Sequence, residues 1–238
     1  MHTHKTLVVT STNAQLYSDY AHRFTDTFPT DKLDLKVYSE DFELPIKTTH
    51  LHLQEQFVLR NSYRPVSSYK YDAVRFCYKP YSIAQALEDY THRDYTRLLW
   101  IDSDSIFHKA IDEDWITKHL YKEDTVMSYA GRPNYYSETG ILLFNLEHAN
   151  TTQYINSVRN LYDNDLLYLL KEWHDSYIWD SVRVQYEAKG NRFYNVAQDV
   201  HNKVPGGHIL AYLYGDTIDH MKGKRKQQGY SKEQQYNA

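Results

Sequence analysis

Four consecutive apolar residues, Leu98-Leu99-Trp100-Ile101, run straight into Asp102-Ser103-Asp104. A strand with one wet face alternates apolar and polar side chains, whereas a strand apolar at every position is covered on both faces. Such a strand belongs at the centre of a sheet with helices above and below it, which restricts the chain to α/β folds. The abrupt change to carboxylates marks its C-terminal end, the place where open α/β sheets collect ligands. The start of the chain has the same grammar. Thr6-Leu7-Val8-Val9-Thr10 reads as a buried strand, Tyr17, Tyr20, Ala21, Phe24 and Phe28 recur at helical spacing up to Pro29, and Leu33-Asp34-Leu35-Lys36-Val37-Tyr38 alternates as a second strand. This β-α-β order predicts a mostly parallel central sheet flanked by helices.

Further along, the pattern predicts a helix from about residue 72 to about residue 89, with Ala73, Phe76, Cys77, Ala84 and Leu87 on its apolar side. Val126-Met127-Ser128-Tyr129 and Gly140-Ile141-Leu142-Leu143-Phe144 read as strands, and residues from about 151 to about 190 turn helical. Residues 43–71 fit no pattern. No repeat or linker divides the chain, so one domain is expected over residues 1–226, followed by a polar, poorly ordered tail at 227–238. With 238 residues the chain buries a core without staples. The one cysteine, Cys77, excludes an intramolecular disulfide and points to a reducing, cytoplasmic setting. Leu7-Val8-Val9 is too short for a secretory leader, and no apolar run approaches the ~18 residues of a membrane span. The net charge of −4 excludes a generic polyanion binder.

Two carboxylates two residues apart on an extended chain project to the same side and repel unless a cation sits with them. Hard oxygen ligands suit Mg²⁺ or Mn²⁺, with substrate phosphate filling the remaining positions. The pattern alone is weak: Asp112-Glu113-Asp114 and Asp163-Asn164-Asp165 repeat it. Neither follows an apolar strand, and both are expected to precede helices, whose N-termini acidic residues complement. The competing reading of Asp102 and Asp104 is an exposed acidic loop. Arg75 and Lys79 lie four apart on the predicted helix, where like charges cost about a few tenths of a kcal/mol. A bound phosphate, or Asp72, would offset that.

Near the end, His220-Met221-Lys222-Gly223-Lys224-Arg225-Lys226 forms an H-x-x-G-x-x-K, and residues 137–145, Ser-Glu-Thr-Gly-Ile-Leu-Leu-Phe-Asn, contain a G-x-L-x-F-N. Trp173-His174-Asp175-Ser176 lies between them. In this order, after the strand-end Asp-x-Asp, the set resembles glycosyltransferases of the GT-A fold. It is similar to the glycogenin and lipopolysaccharide galactosyltransferase group and to small bacteriophage-encoded glycosyltransferases. The resemblance implies a Rossmann-like GT-A fold, a nucleoside-diphosphate sugar as donor, here a UDP-sugar, and Mn²⁺ or Mg²⁺ held by Asp102, Asp104 and His220. It implies that the Gly223 backbone and Lys226, with Lys222, meet the diphosphate. The base would dock after the first strand, at Thr10, Ser11 and Thr12, with Tyr17 stacking on it. Ser103, Arg75 and Lys79 complete the donor-binding candidates. Glu138 and Asp175 fall near the reacting sugar. Asp175 is the base that an inverting enzyme would need, or else caps the following helix, and the resemblance leans towards retention.

The expected function is thus metal-dependent transfer of a hexosyl or pentosyl group to an acceptor hydroxyl, on a glycan or a modified DNA base. A phage-encoded chain would act in the host cytoplasm. Two alternatives stand beside it. Ile101-Asp102-Ser103-Asp104-Ser105 superficially matches the nucleophile strand of haloacid-dehalogenase-like phosphatases, although that motif belongs near an N-terminus. A non-catalytic sugar-nucleotide-binding module is the other. Residues from about 216 to 226 are basic and contain Gly223, so they are expected to bury little apolar surface and to order only over bound donor. The plain alternatives for Gly223 and Lys226 are a helix C-cap and a solvated charge.

Overall fold

The computed structural model describes residues 4–41, 44–90, 95–200, 208–221, 223 and 225–228. Strand β1 (Thr6–Thr12) leads into α1 (Ala14–Leu16), a π-helical segment (Tyr17–Ala21) and α2 (His22–Thr27), which ends before Pro29. Then come β2 (Asp34–Ser39), β3 (Thr49–His50), α3 (Glu55–Asn61), a 3-10 turn (Tyr69–Tyr71) and the long helix α4 (Ala73–Tyr90). The central segment contains β4 (Arg97–Ile101), β5 (Ser105–Phe107), α5 (Glu113–His119), and the hairpin of β6 (Met127–Arg132) and β7 (Tyr135–Asn145). The rest is α6 (Thr151–Asp163), a 3-10 turn (Leu166–Leu169), α7 (Asp175–Glu187), β8 (Tyr194–Asn195), α8 (Ile209–Tyr214), β9 (Ile218–His220) and α9 (Arg225–Gln228).

The main sheet has the order β3-β2-β1-β4-β7-β6-β8. β3, β2, β1 and β4 run parallel, β7 is antiparallel to both β4 and β6, and β8 is parallel to β6. β4 therefore lies between β1 and β7, in register with Leu98 opposite Phe144 and Ile101 opposite Ile141. The two-residue period divides its side chains between two cores. Leu98 and Trp100 join Leu7, Val9, Leu142 and Phe144 on the face covered by α4, α6 and α7. Leu99 and Ile101 join Val8, Ile141 and Leu143 on the face covered by α2, α5 and α8. All five residues of β4 are buried, as a strand covered on both sides requires. The fold is α/β, a mostly parallel central sheet flanked by helices.

Several local expectations need correction. Residues 43–71, which fit no pattern, supply the edge strand β3 and helix α3. Asp163-Asn164-Asp165 joins two helical stretches, ending α6 and leading into the 3-10 turn Leu166–Leu169 rather than an α-helix. Asp163 is the last residue of α6, and Asp165 is left-handed at φ 56°. Its carboxylate accepts from Asn61 Nδ2 at 2.9 Å and tethers α3 to this corner. β7 extends back to Tyr135, beyond the apolar run, because the polar residues Ser137, Glu138 and Thr139 are buried towards the strand ends described below. The segment after residue 216 is not short of apolar burial. Ile218 and Met221 are both 0 % exposed, and β9 pairs antiparallel with β5. No helix among the described residues is long and apolar enough to cross a membrane. Of the tail, residues 229–238 lie outside the described residues, while 227 and 228 belong to α9.

β7 contributes side chains to both cores, so truncating one of them should weaken the fold directly. Phe144 is 0 % exposed with its ring 5.4 Å from that of Trp179. Phe144→Ala should cost about 3–5 kcal/mol in urea unfolding with an unchanged m-value; a loss below about 1 kcal/mol would contradict this packing.

Candidate metal centre

At the end of β4 the backbone carries two carboxylates into a tight turn. Asp102 N donates to Gly140 O at 2.8 Å, prolonging the pairing with β7, and Ser105 N donates to Asp102 O at 3.1 Å as the chain reverses. β5 then pairs with β9, Ser105 lying opposite His220, and Met221 N donates to Asp104 O at 3.0 Å. This short ladder delivers a histidine from the far end of the chain to the acidic pair.

Each aspartate divides its oxygens between a lysine and the histidine. Asp102 Oδ1 takes Lys79 Nζ at 2.8 Å and Trp100 Nε1 at 2.6 Å, while Oδ2 lies 3.4 Å from His220 Nε2. Asp104 Oδ2 takes Lys226 Nζ at 2.8 Å, while Oδ1 lies 3.1 Å from His220 Nε2. Asp104 Oδ1 is buried and makes no well-formed hydrogen bond, although His220 Nε2 lies 3.1 Å away. The three ligand atoms lie within 4.8 Å of one another. Two hard carboxylate oxygens and one borderline nitrogen, one of the oxygens buried and unpartnered, fit a divalent cation. Asp102, Asp104 and His220 thus form a cluster able to hold a divalent ion.

The electrostatics follow from burial opposed by charge. Desolvation favours protonation of Asp102, but Lys79 and His220 outweigh it and hold the carboxyl well below its usual range. Asp104 is lowered in the same way, His220 and then Lys226 overcoming its burial. Burial pushes the His220 imidazole down, yet the Asp104 and Asp102 carboxylates lift it to about 10. The surroundings of His220 thus favour its protonated form, and a metal ion bound at Nε2 would have to displace that proton. The ring rests on Gly140, where an added Cβ would come within 2.4 Å of His220 Cε1.

Around this cluster stands a second layer. Lys79, from α4, reaches Asp175 Oδ2 at 2.6 Å and the Thr139 carbonyl at 2.9 Å as well as Asp102. Asp175 also accepts from Thr139 Oγ1 at 2.8 Å and from Ser176 N. Lys79, followed by Thr139, keeps its buried carboxyl below the usual range despite desolvation. Asp175 is the first residue of α7 but not its cap, since the side chain of His174 accepts from Tyr177 N. Glu138 is 2 % exposed, 3.4 Å from Arg132 Nη1 and 3.9 Å from His220 Nδ1.

The remaining candidates divide. Lys226 joins the cluster and also donates to Tyr20 OH at 3.2 Å. Gly223 is exposed with φ 58° and precedes α9, so it is not a helix C-cap; Lys222 lies outside the described residues. Thr10, Ser11 and Thr12 end β1, with Ser11 Oγ donating to Glu40 at 2.7 Å and Thr12 Oγ1 to its neighbour's carbonyl. Tyr17 is half-buried edge-on to His22, and it is Tyr20 that approaches the cluster. Ser103 sits in the turn between the aspartates. Arg75 is exposed with its guanidinium over Phe76, and Asp72 accepts its backbone N–H, so Arg75 is not brought in with Lys79. Four neighbours were not among the sequence candidates: Tyr20, Glu40, Trp100 and Thr139. Glu40 had a readable signal, an acid just past the end of a parallel strand, as Asp102 is. Burial lifts its carboxyl to about 7 against the pull of Ser11 and Asn13.

No family model matches the sequence, and no curated protein matches it. Solved structures do. A glycosyltransferase involved in glycosylation of the major capsid of PBCV-1 aligns with a TM-score of 0.53 at 12 % identity, over 94 % of this chain and 99 % of that one. Galactosyltransferase LgtC, in complex with donor and acceptor sugar analogues, aligns with a TM-score of 0.42 at 12 % identity, over 73 % and 69 % of the two chains. Mouse xyloside xylosyltransferase 1 gives 0.44 at 13 %, over 81 % and 84 %. The first of these carries the comparison: the chain has the α/β fold of GT-A-like glycosyltransferases.

The close seat of His220 on Gly140 yields a test. Gly140→Ala should displace the imidazole and weaken Mn²⁺ binding at least about tenfold in calorimetry, the usual scale for disturbing the support of a metal ligand. Unchanged affinity in a folded variant would mean that His220 is not a ligand.

Proposed function

We propose that this protein is a metal-dependent glycosyltransferase moving a sugar from a UDP-sugar to an acceptor hydroxyl, its catalytic domain extending to residue 226. The observation that carries the reading is the convergence of Asp102, Asp104 and His220 at a strand end, with Lys226 and Lys79 as flanking cations. Asp102, Asp104 and His220 would hold Mn²⁺ or Mg²⁺, which supplies Lewis acidity towards a diphosphate leaving group. Lys226, already 2.8 Å from Asp104, adds a positive charge where that leaving group gains negative charge. The Gly223 backbone, lacking a Cβ, lets phosphate oxygens approach closely. Thr10, Ser11, Thr12 and Glu40, at the ends of β1 and β2, provide hydroxyls and a carboxyl for the nucleoside.

Asp175 would lie beside the reacting sugar. Its carboxylate is pinned by Lys79, Thr139 and the Ser176 N–H, and stays ionised far below neutral pH. A carboxylate so held is a weak base and a good electrostatic partner for a sugar that becomes cationic at its anomeric carbon. That supports retention over inversion. Glu138, 3.4 Å from Arg132 and 3.9 Å from His220, would add negative charge behind the imidazole. The single cysteine, Cys77, is buried, and its thiol is pushed up by desolvation, which suits a cytoplasmic chain without disulfides.

Titration calorimetry with UDP tests the reading. Wild type should bind UDP at least about tenfold more tightly with Mn²⁺ than without, and Asp104→Ala should lose that gain because half the charge holding the ion is gone. Equal UDP affinity with and without metal would contradict it.

A further inference from the structure

Next to Asp175 opens a cavity of about 900 Å³ that the metal and donor contacts leave unused. Tyr69, Tyr135, Tyr136, Glu172 and His174 line it, and Asp175 with Ser176 forms its inner end. We propose that this cavity binds a neutral saccharide. Resting on the glycosyltransferase reading, that saccharide is the acceptor, because Asp175 joins the cavity to Lys79 and through it to Asp102.

Three features define the ligand. First, the walls are aromatic. His174 is the hub, with the rings of Tyr136, Tyr69, Phe76 and Tyr177 at 5.3, 6.0, 6.1 and 6.3 Å. Tyr69 and Tyr135 are 59 % and 67 % exposed at the same opening. Large rings left in water at one opening offer flat apolar faces with a polar tip, which match the C–H face and hydroxyl edge of a sugar ring.

Second, the floor is a fixed polar pair. Glu172 is 4 % exposed, its Oε1 accepting from Lys70 Nζ at 3.0 Å and Tyr136 OH at 3.3 Å, its Oε2 lying 2.9 Å from His174 Nε2. A carboxylate, an imidazole, an ammonium and a phenol in contact supply both acceptors and donors, as hydroxyls require.

Third, the charges nearly cancel. Lys70 is matched by Glu172, Arg132 by Glu138 at 3.4 Å, and Asp175 by Lys79, which leaves one exposed lining cation, Lys171, outside these pairs. A nucleic acid needs a track of unmatched cations along its phosphates, and a sugar phosphate needs at least one cluster of them. Neither is present here among the described residues. The volume also lies in the range of small-molecule sites and suits one or two sugar rings rather than a duplex.

Saturation-transfer NMR on the full chain, without donor, tests the pocket apart from the chemistry. The probes are methyl glycosides of neutral hexoses, neutral disaccharides, a hexose phosphate and a hydroxymethylcytosine oligonucleotide. At least one neutral glycoside should be saturated. Its dissociation constant should rise about fivefold in Tyr135→Ala and in Glu172→Gln, since a lost ring contact or hydrogen bond is worth about 1 kcal/mol. It should not change in Val184→Ser, an exposed site on α7 away from the cavity. Tyr135 is exposed, so its variant folds even if Glu172→Gln does not. The proposal is overturned if no neutral glycoside is saturated, if the affected one ignores both variants, or if the phosphate or the oligonucleotide binds more tightly than every neutral sugar. Saccharide binding in a protein that fails to bind UDP with Mn²⁺ keeps the pocket and removes the transferase reading.

Discussion

Four carboxylates are gathered into a small, poorly hydrated volume at the end of β4. Glu138, Asp175 and Asp104 are 2 %, 7 % and 8 % exposed, and Asp102 stands beside them. Left alone they would repel one another, and each unpaired buried charge would cost several kcal/mol, on the order of half a small domain's stability. Each is answered by a cation from a different element: Lys79 from α4, Arg132 from β6, His220 from β9 and Lys226 from α9. The architecture beyond the sheet is what brings these cations in. The β5–β9 ladder carries His220, the α4 helix aims Lys79, and Gly140 leaves room for the imidazole.

The same balance explains why the site is suited to exchange. Lysines hold one oxygen of each of Asp102 and Asp104, and the other oxygen of each faces His220, that of Asp104 buried without a hydrogen-bond partner. Asp102, Asp104 and His220 would hold a divalent ion there in place of the imidazolium proton, with Lys79 and Lys226 still paired to the oxygens they hold. Lys79 also couples the cluster to Asp175, and Asp175 lines the aromatic cavity, so the proposed donor and acceptor sides share one chain of charge contacts.

Much of this was legible in the sequence because it obeys local rules. The β4 run has to be central, since no half-exposed strand is apolar at every position, and the acids after it have to sit at a strand end. His220 was found by its spacing to Gly223 and Lys226, not by anything that fixes its distance to Asp102. What was hidden depends on contacts between distant segments. Lys79 and Arg75 share a helix face in projection, yet burial separates them: one is drawn under β7 and the other stays in water. Tyr20 enters only because Lys226 arrives beside it. The end of the chain reads as a basic flap, but Ile218 and Met221 anchor it, two apolar residues in a polar stretch giving too weak a periodicity to announce a strand.

The central claim is that Asp102, Asp104 and His220 bind one cation together. Electron spin-echo modulation of Mn²⁺ added to the protein with UDP reads the ligands directly. A directly bound imidazole nitrogen should modulate the echo in the wild-type protein, and that modulation should vanish in His220→Gln while Mn²⁺ still binds through the carboxylates. Absence of nitrogen modulation in the wild type, or its persistence in the variant, would contradict the assignment.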